Sequence, residues 1–248
     1  MQKKTLLNIL KLKSKDNIRE IYLFGSVARG DDDDASDIDI LIIIDNCSEE
    51  DYLKYKNYFS KLLEVPVSWI SLYRYDKILS MYENGSYFLW HIKMEGKKLY
   101  SKNNELSGLL ENLPRYHGMV NDIKEYTQIL EDIHSEMKNK YICVEYELSV
   151  MASLVRNTCI MLSYLNDRLD FSRTFVVKYC IEKYGIDVTI DEYKRLYMYR
   201  HYETGKLEQV PSGKLSDLKK WLSIEKQLLY IAVKEVKLYE KTVISGME

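Results

Sequence analysis

The chain has 248 residues, of which 46% are hydrophobic and 30% charged, and its formal net charge is −2. That balance fits a globular protein of one large or two modest domains, and it lacks the basic excess that a long nucleic-acid track requires. No apolar run approaches the ~20 residues of a membrane span, and the Met1-Gln-Lys-Lys start leads into a mixed polar-apolar helix rather than a leader ending in small residues. A cytoplasmic protein with no membrane partner is therefore expected.

Residues 4–15 predict a helix with one apolar face. Arg19–Phe24 reads as a short strand that stops at Gly25, with a short helix after it. Asp37–Ile44 is the clearest strand, and its second half, Ile40–Ile44, is continuously apolar, as expected of a strand covered on both faces. Ser48 caps a helix that opens with Glu49-Glu50-Asp51, acidic residues suited to the helix dipole, and runs to about Leu63. Val65–Ser71 predicts a third strand, with Pro66 marking an edge or an irregular start. Residues 76–95 look mainly helical, and a short strand follows near Lys98–Tyr100. Beyond Pro114 and Gly118 the chain predicts long amphipathic helices over 117–139, 141–166, 172–184, 189–203 and 214–243. In the last, Leu218, Trp221, Leu222, Leu228, Leu229 and Ile231 make one broad apolar stripe. The fold class expected is α+β: a small mixed β-sheet with helices over 1–112, then an all-α helical bundle over 113–248.

Cys47, Cys143, Cys159 and Cys180 form no C-x-x-C pair, so neither a zinc motif nor a redox motif is visible, and free thiols are expected. The abundant tyrosines read first as packing residues.

Chemistry concentrates between the first two predicted strands. Gly25 permits a tight turn and close approach of backbone to a ligand. Ser26 adds a hydroxyl, and the short helix after the turn offers backbone N–H groups suited to phosphate. Asp37 and Asp39 are two apart on a strand, so both carboxylates point to one face. Such a pair suits Mg²⁺, which takes carboxylates together with substrate phosphates. Two Mg²⁺ ions ~3.5–4 Å apart would clamp an in-line displacement at phosphorus. Asp31–Asp34 reads as a solvated turn of like charges, able to attract a cationic substrate.

The stretch Gly25-Ser-Val-Ala-Arg29-Gly30, followed by Ser36-Asp-Ile-Asp39-Ile-Leu, resembles the polymerase-beta-type nucleotidyltransferase superfamily, in particular minimal nucleotidyltransferases and antibiotic adenylyltransferases. The resemblance implies a nucleotidyltransferase fold in the N-terminal half. It implies that Gly25 and Ser26 hold the triphosphate and that Asp37 and Asp39 bind metal, and it makes Gly30 the second glycine of the pattern. Arg29 is either a phosphate contact or a solvated surface charge. The family also uses a third acidic residue on a later strand. Here Pro66 and Ser68 occupy the inward-alternating positions of the predicted third strand. Glu64 shares their parity at the strand's entrance, and Leu63-Glu64-Val65 resembles the Leu-Glu-Val of some aminoglycoside adenylyltransferases, whose glutamate serves as base. Glu64 is either that third carboxylate or an ordinary helix-end glutamate.

The activity implied is Mg²⁺-dependent transfer of a nucleoside monophosphate, AMP from ATP, onto a hydroxyl of a small molecule or a protein, with release of pyrophosphate. A nucleic-acid acceptor is less favoured by the charge. Two alternatives remain open. One is a nucleotidyltransferase fold kept as a binding module, in an antitoxin-like role. The other is a ribonuclease, because Arg195 and His201 match the loose R-x(4–6)-H pattern of HEPN-type enzymes, which act as homodimers. His91, in Trp90-His-Ile-Lys-Met-Glu95-Gly96, reads as a packing or helix-end residue, and similar His-x-x-x-Glu-Gly stretches close the catalytic domain in some relatives. Glu145 and Glu147 are candidates to face a polyamine acceptor.

Overall fold

The two most apolar strands lie at the centre of the sheet. A computed structural model describes residues 17–30, 37–138 and 142–245, with side chains to residue 240. The predicted helix 4–15 and the run Asp31–Asp34 lie outside these residues. The chain divides into two compact units, Met1–His117 and Gly118–Glu248.

In the first unit, β1 (Ile18–Phe24) pairs antiparallel with β2 (Asp39–Ile44), and β2 pairs parallel with β3 (Ile70–Arg74). β4 (Lys97–Ser101) lies antiparallel on the other side of β1, giving the order β3-β2-β1-β4. Period-two alternation sends Ile38, Ile40, Ile42 and Ile44 to one face. There they meet Ile70 and Leu72 of β3, together with Phe59 and Leu63 of the helix α2 (Glu49–Leu63). Leu41 and Ile43 go to the other face with Tyr22 and Phe24. That face is covered by Ile78 of α3 (Tyr75–Glu83), Leu89 and Ile92 of α4 (Tyr87–Glu95), and Leu106 and Leu110 of α5 (Glu105–Glu111). The mixed sheet with helices is the expected α+β arrangement, and the double coverage explains why β2 has no polar residue after Asp39.

Three local features depart from expectation. The third strand begins five residues later than predicted, at Ile70 rather than Val65. The end of α2 consumes the main chain of Val65: its N–H donates to the Ser60 carbonyl at 3.2 Å, and its carbonyl accepts from Ser60 Oγ at 2.7 Å. Pro66 then leads a 3₁₀ turn, Val67–Trp69, before the ladder to β2 starts. The predicted helical stretch 76–95 is two helices, broken at Gly85, whose φ is +59° and where a Cβ would lie 2.3 Å from the Arg115 carbonyl oxygen. α5 is not among the predicted elements. Its N-terminal Leu106 N–H is satisfied by the buried Glu20 carboxylate of β1 at 2.7 Å, a long-range cap that local sequence does not reveal.

The second unit is helical: α6 (Met119–Glu136), α7 (Val144–Leu165), α8 (Phe175–Tyr184), α9 (Ile190–Glu203) and α10 (Leu215–Ser245). Thr189 and Glu192 form a reciprocal capping box at the start of α9. α7 is long and apolar enough to cross a membrane by length and composition, contrary to the expectation from apolar runs alone, yet 78% of its most apolar window is buried within the protein. It reads as the core helix around which this unit packs. Cys159 and Cys180 are buried, Cys47 half-buried and Cys143 exposed, all as free thiols.

Candidate active site

β1 delivers its last residue, Phe24, to the rung opposite Asp39. Gly25 follows with φ +73° and opens a single-turn helix, α1 (Gly25–Arg29). Phe24 makes no side-chain cap to α1, so the side chain of its N-cap residue satisfies none of the helix's leading N–H groups. Gly30, at φ +86°, ends the turn by donating its N–H to the Ser26 carbonyl at 2.8 Å.

Asp37 and Asp39 flank Ile38, which is 4% exposed and packs into the α2-side core. β2 begins at Asp39, two residues later than the expected start at Asp37, and the alternation turns the Asp39 carboxylate toward the opposite face, the one Gly25 abuts. The approach is close: an ideal Cβ on Gly25 would stand 2.2 Å from Asp39 Oδ2 and 3.1 Å from its Cγ. Only a residue without a side chain permits this contact.

Arg29, at the exposed end of α1, makes an ion pair with α4. Its Nη1 donates to Glu95 Oε2 on α4 at 2.5 Å. The same oxygen lies 2.7 Å from His91 Nε2, one turn back on α4. The His91 ring meets the Phe24 ring edge to face, with centroids 5.2 Å apart. Burial pushes the Glu95 pKa up, but the hydrogen bond and charge of His91, joined by Arg29, outweigh it and hold the carboxylate below its ordinary value. The spacing His91–Glu95, one helical turn apart, was legible; that Glu95 would also take Arg29 was not.

The third carboxylate requires a correction. Glu64 is exposed and sits at the left-handed C-cap of α2, with φ 57° and ψ 40°, off the strand altogether. Pro66 and Ser68 also precede β3, so neither lines the sheet face. The ladder pairs Leu41 with Ser71 and Ile43 with Tyr73. The β3 residues on the Asp39 face are thus Ser71 and Tyr73, while Trp69, just before the strand, packs against the α2-side core. Among the described residues no cluster of three or more His, Cys, Asp or Glu forms a metal site.

In the helical unit, Arg195 and His201 are not brought together. They are six residues apart on α9, which places them on different sides of the helix; Arg195 is exposed, whereas His201 takes a 3.1 Å contact from Arg173 Nη1 and packs against Tyr197. Glu145 accepts from the Gly213 N–H at 2.7 Å, which lowers its pKa and ties the segment before α10 to the start of α7. Burial, then Glu136, raises that of Glu147.

Residues 5–105 match the family model "Polymerase beta, Nucleotidyltransferase". The N-terminal unit carries a nucleotidyltransferase domain of this family. A Methanocaldococcus jannaschii protein named protein adenylyltransferase is 55% identical over 42 residues, 17% of this chain; the chain spans 42% of that relative's length. Across nearly the whole length, the chain resembles a solved spectinomycin adenyltransferase from Enterococcus faecialis, with 15% identity, TM-score 0.51, and coverage of 91% of this chain and 98% of that one. That likeness extends the shared fold from the nucleotidyltransferase domain into the helices that follow. A Shewanella oneidensis HEPN toxin in complex with MNT antitoxin matches 54% of this chain and 99% of its own at 18% identity, with a TM-score of 0.31, too low to bear on the fold.

Proposed function

We propose that this chain transfers a nucleoside monophosphate, AMP from ATP, onto a hydroxyl of a small-molecule or protein acceptor and releases pyrophosphate. The observation that carries this is the Gly25–Asp39 contact, in which the main chain of a phosphate-type turn lies against a metal-type carboxylate. Triphosphate and cation would then share one place. Gly25 and Ser26 would take the β- and γ-phosphates, and Asp37 and Asp39 would hold Mg²⁺. One or two carboxylates plus substrate phosphates is a set that Mg²⁺ accepts. When bound, the ion neutralises phosphate charge. The chain's own contribution is positioning and fixed charge, which dominate the acceleration of transfer at phosphorus. The acceptor oxygen forms the new bond to the α-phosphorus while the bond to the pyrophosphate oxygen breaks, and the acceptor's proton passes to solvent or to a base. The name of the Methanocaldococcus relative supports AMP as the group moved and a protein as one acceptor class.

The test is a screen of α-labelled nucleoside triphosphates with Mg²⁺ against pooled acceptors, run beside Asp39→Asn. Label transfer and pyrophosphate release by the wild type alone are expected. Transfer by the variant at the wild-type rate would sink the assignment.

A second function is favoured by a specific observation: β3 presents Ser71 and Tyr73, not a carboxylate, on the Asp39 face. A chain that binds ATP and Mg²⁺ in calorimetry yet releases no pyrophosphate with any acceptor is a binding module built on the same fold.

A further inference from the structure

α1 has five residues and one turn. A helix this short does not hold itself together, because the cost of its nucleus exceeds the return from so few backbone bonds. Its position must come from anchors outside it: Ala28 is buried in the α2-side core with Val27 packed against that core, and the two anchors at its ends converge on one atom. At the C-terminal end, Arg29 Nη1 reaches Glu95 Oε2 at 2.5 Å. At the N-terminal end, Phe24 packs edge to face on His91, whose Nε2 is 2.7 Å from that same oxygen. The Glu95 side chain is 10% exposed, so these charge-assisted contacts are shielded from water. α4 supplies a firm base, with Leu89 and Ile92 buried under the sheet.

We propose that Glu95 is a positioning residue that fixes the Gly25–Ser26 turn from both ends and thereby sets affinity for the triphosphate. The inference rests on the nucleotidyltransferase function proposed above. It assigns Arg29 to the tether. Asp39 is held by main-chain pairing at the head of the β1–β2 ladder. Loss of Glu95 therefore loosens the phosphate side of the site and leaves the carboxylate side in place.

The experiment measures ATP and AMP binding calorimetrically, with Mg²⁺, for wild type, Glu95→Gln, Arg29→Gln, Arg29→Lys and the Arg29→Gln/Glu95→Gln double variant, alongside thermal unfolding. Each Gln variant is expected to weaken ATP binding by about tenfold, and the double variant by no more than Glu95→Gln alone, since losing the Glu95 carboxylate already removes the partner of Arg29. AMP, which lacks the β- and γ-phosphates, should bind all of them alike, and Arg29→Lys should recover most ATP affinity. Full additivity, equal loss of ATP and AMP, or unchanged ATP affinity in the folded variants would overturn the proposal. If Glu95→Gln does not fold, the Arg29 pair decides it, because Arg29 lies at the surface end of the link. A wild-type protein that binds no ATP refutes the functional proposal itself, a result distinct from wild-type binding that the variants leave unaltered.

Discussion

A carbon atom added at Gly25 would stand 2.2 Å from Oδ2 of Asp39. Gly25→Ala must therefore push the carboxylate away or move the turn, on top of the roughly 1–2 kcal/mol that a side chain costs in the left-handed region. We expect the variant to lose Mg²⁺-dependent ATP binding by more than about tenfold, or 1.4 kcal/mol. Gly30 is the control. Its φ is +86°, but no atom lies within 4 Å of its would-be Cβ. Gly30→Ala should cost about 1 kcal/mol in denaturant unfolding and leave ATP binding nearly intact. Equal binding losses in the two would show that strain, not the Asp39 contact, is what matters.

Asp39→Asn keeps the shape of the side chain and the β1–β2 rung with Phe24, while removing the charge a divalent ion needs. Transfer should fall by about 10²-fold or more, with the unfolding midpoint little changed. A pyrophosphate-release assay run beside a denaturant titration separates loss of chemistry from loss of fold.

Ser71 stands opposite Leu41 on the Asp39 face of the parallel β2–β3 ladder. Ser71→Asp would add a carboxylate to that face. We expect the affinity for Mn²⁺ in the presence of a non-hydrolysable ATP analogue, read by electron paramagnetic resonance, to rise several-fold, as added ligand charge tightens a cation site. Unchanged affinity in a folded variant would place residue 71 out of reach of the cation.

Glu225 of α10 is fully buried and accepts from Thr158 Oγ1 at 2.5 Å, while its other oxygen has no hydrogen-bond partner among the described residues. Burial raises its pKa from 4.5 to about 8, against a smaller opposing effect of Thr158. The folded state thus favours the protonated acid. Its stabilising effect is complete below the unfolded value of 4.5 and is lost progressively as pH rises to about 8. The loss is on the order of a few kcal/mol. Glu225→Gln stays neutral, so its stability relative to wild type should climb between pH 5 and pH 9 in urea titrations. Parallel pH profiles for the two proteins would rule out a neutral Glu225.

How far the sequence carries can be judged on particular residues. β2 and α2 were legible because their signals are local: an unbroken Ile40–Ile44 run, and a Ser48 hydroxyl that accepts from the Asp51 N–H as predicted. β3 was displaced because Val65, Val67 and Trp69 alternate as convincingly as Ile70 and Leu72, in opposite phase. The choice between the two phases is made by the ladder to β2 and by Ser60, which claims Val65 for the helix end. At the site, Gly25 and Asp39 were legible as residue types at a spacing. The convergence of Arg29 and His91 on Glu95 spans 66 residues for the arginine arm, and no local pattern encodes it.

The shared rung of Phe24 and Asp39 has a consequence for how this site tolerates change. Because β-sheet pairing sets the separation of the glycine turn from the carboxylate, a one-residue slip of β1 against β2 would turn Asp39 to the opposite face and carry it away from Gly25. The geometry of the site is inherited from the ladder, so a substitution that loosens the pairing of these two strands would reach the site without touching any of its residues.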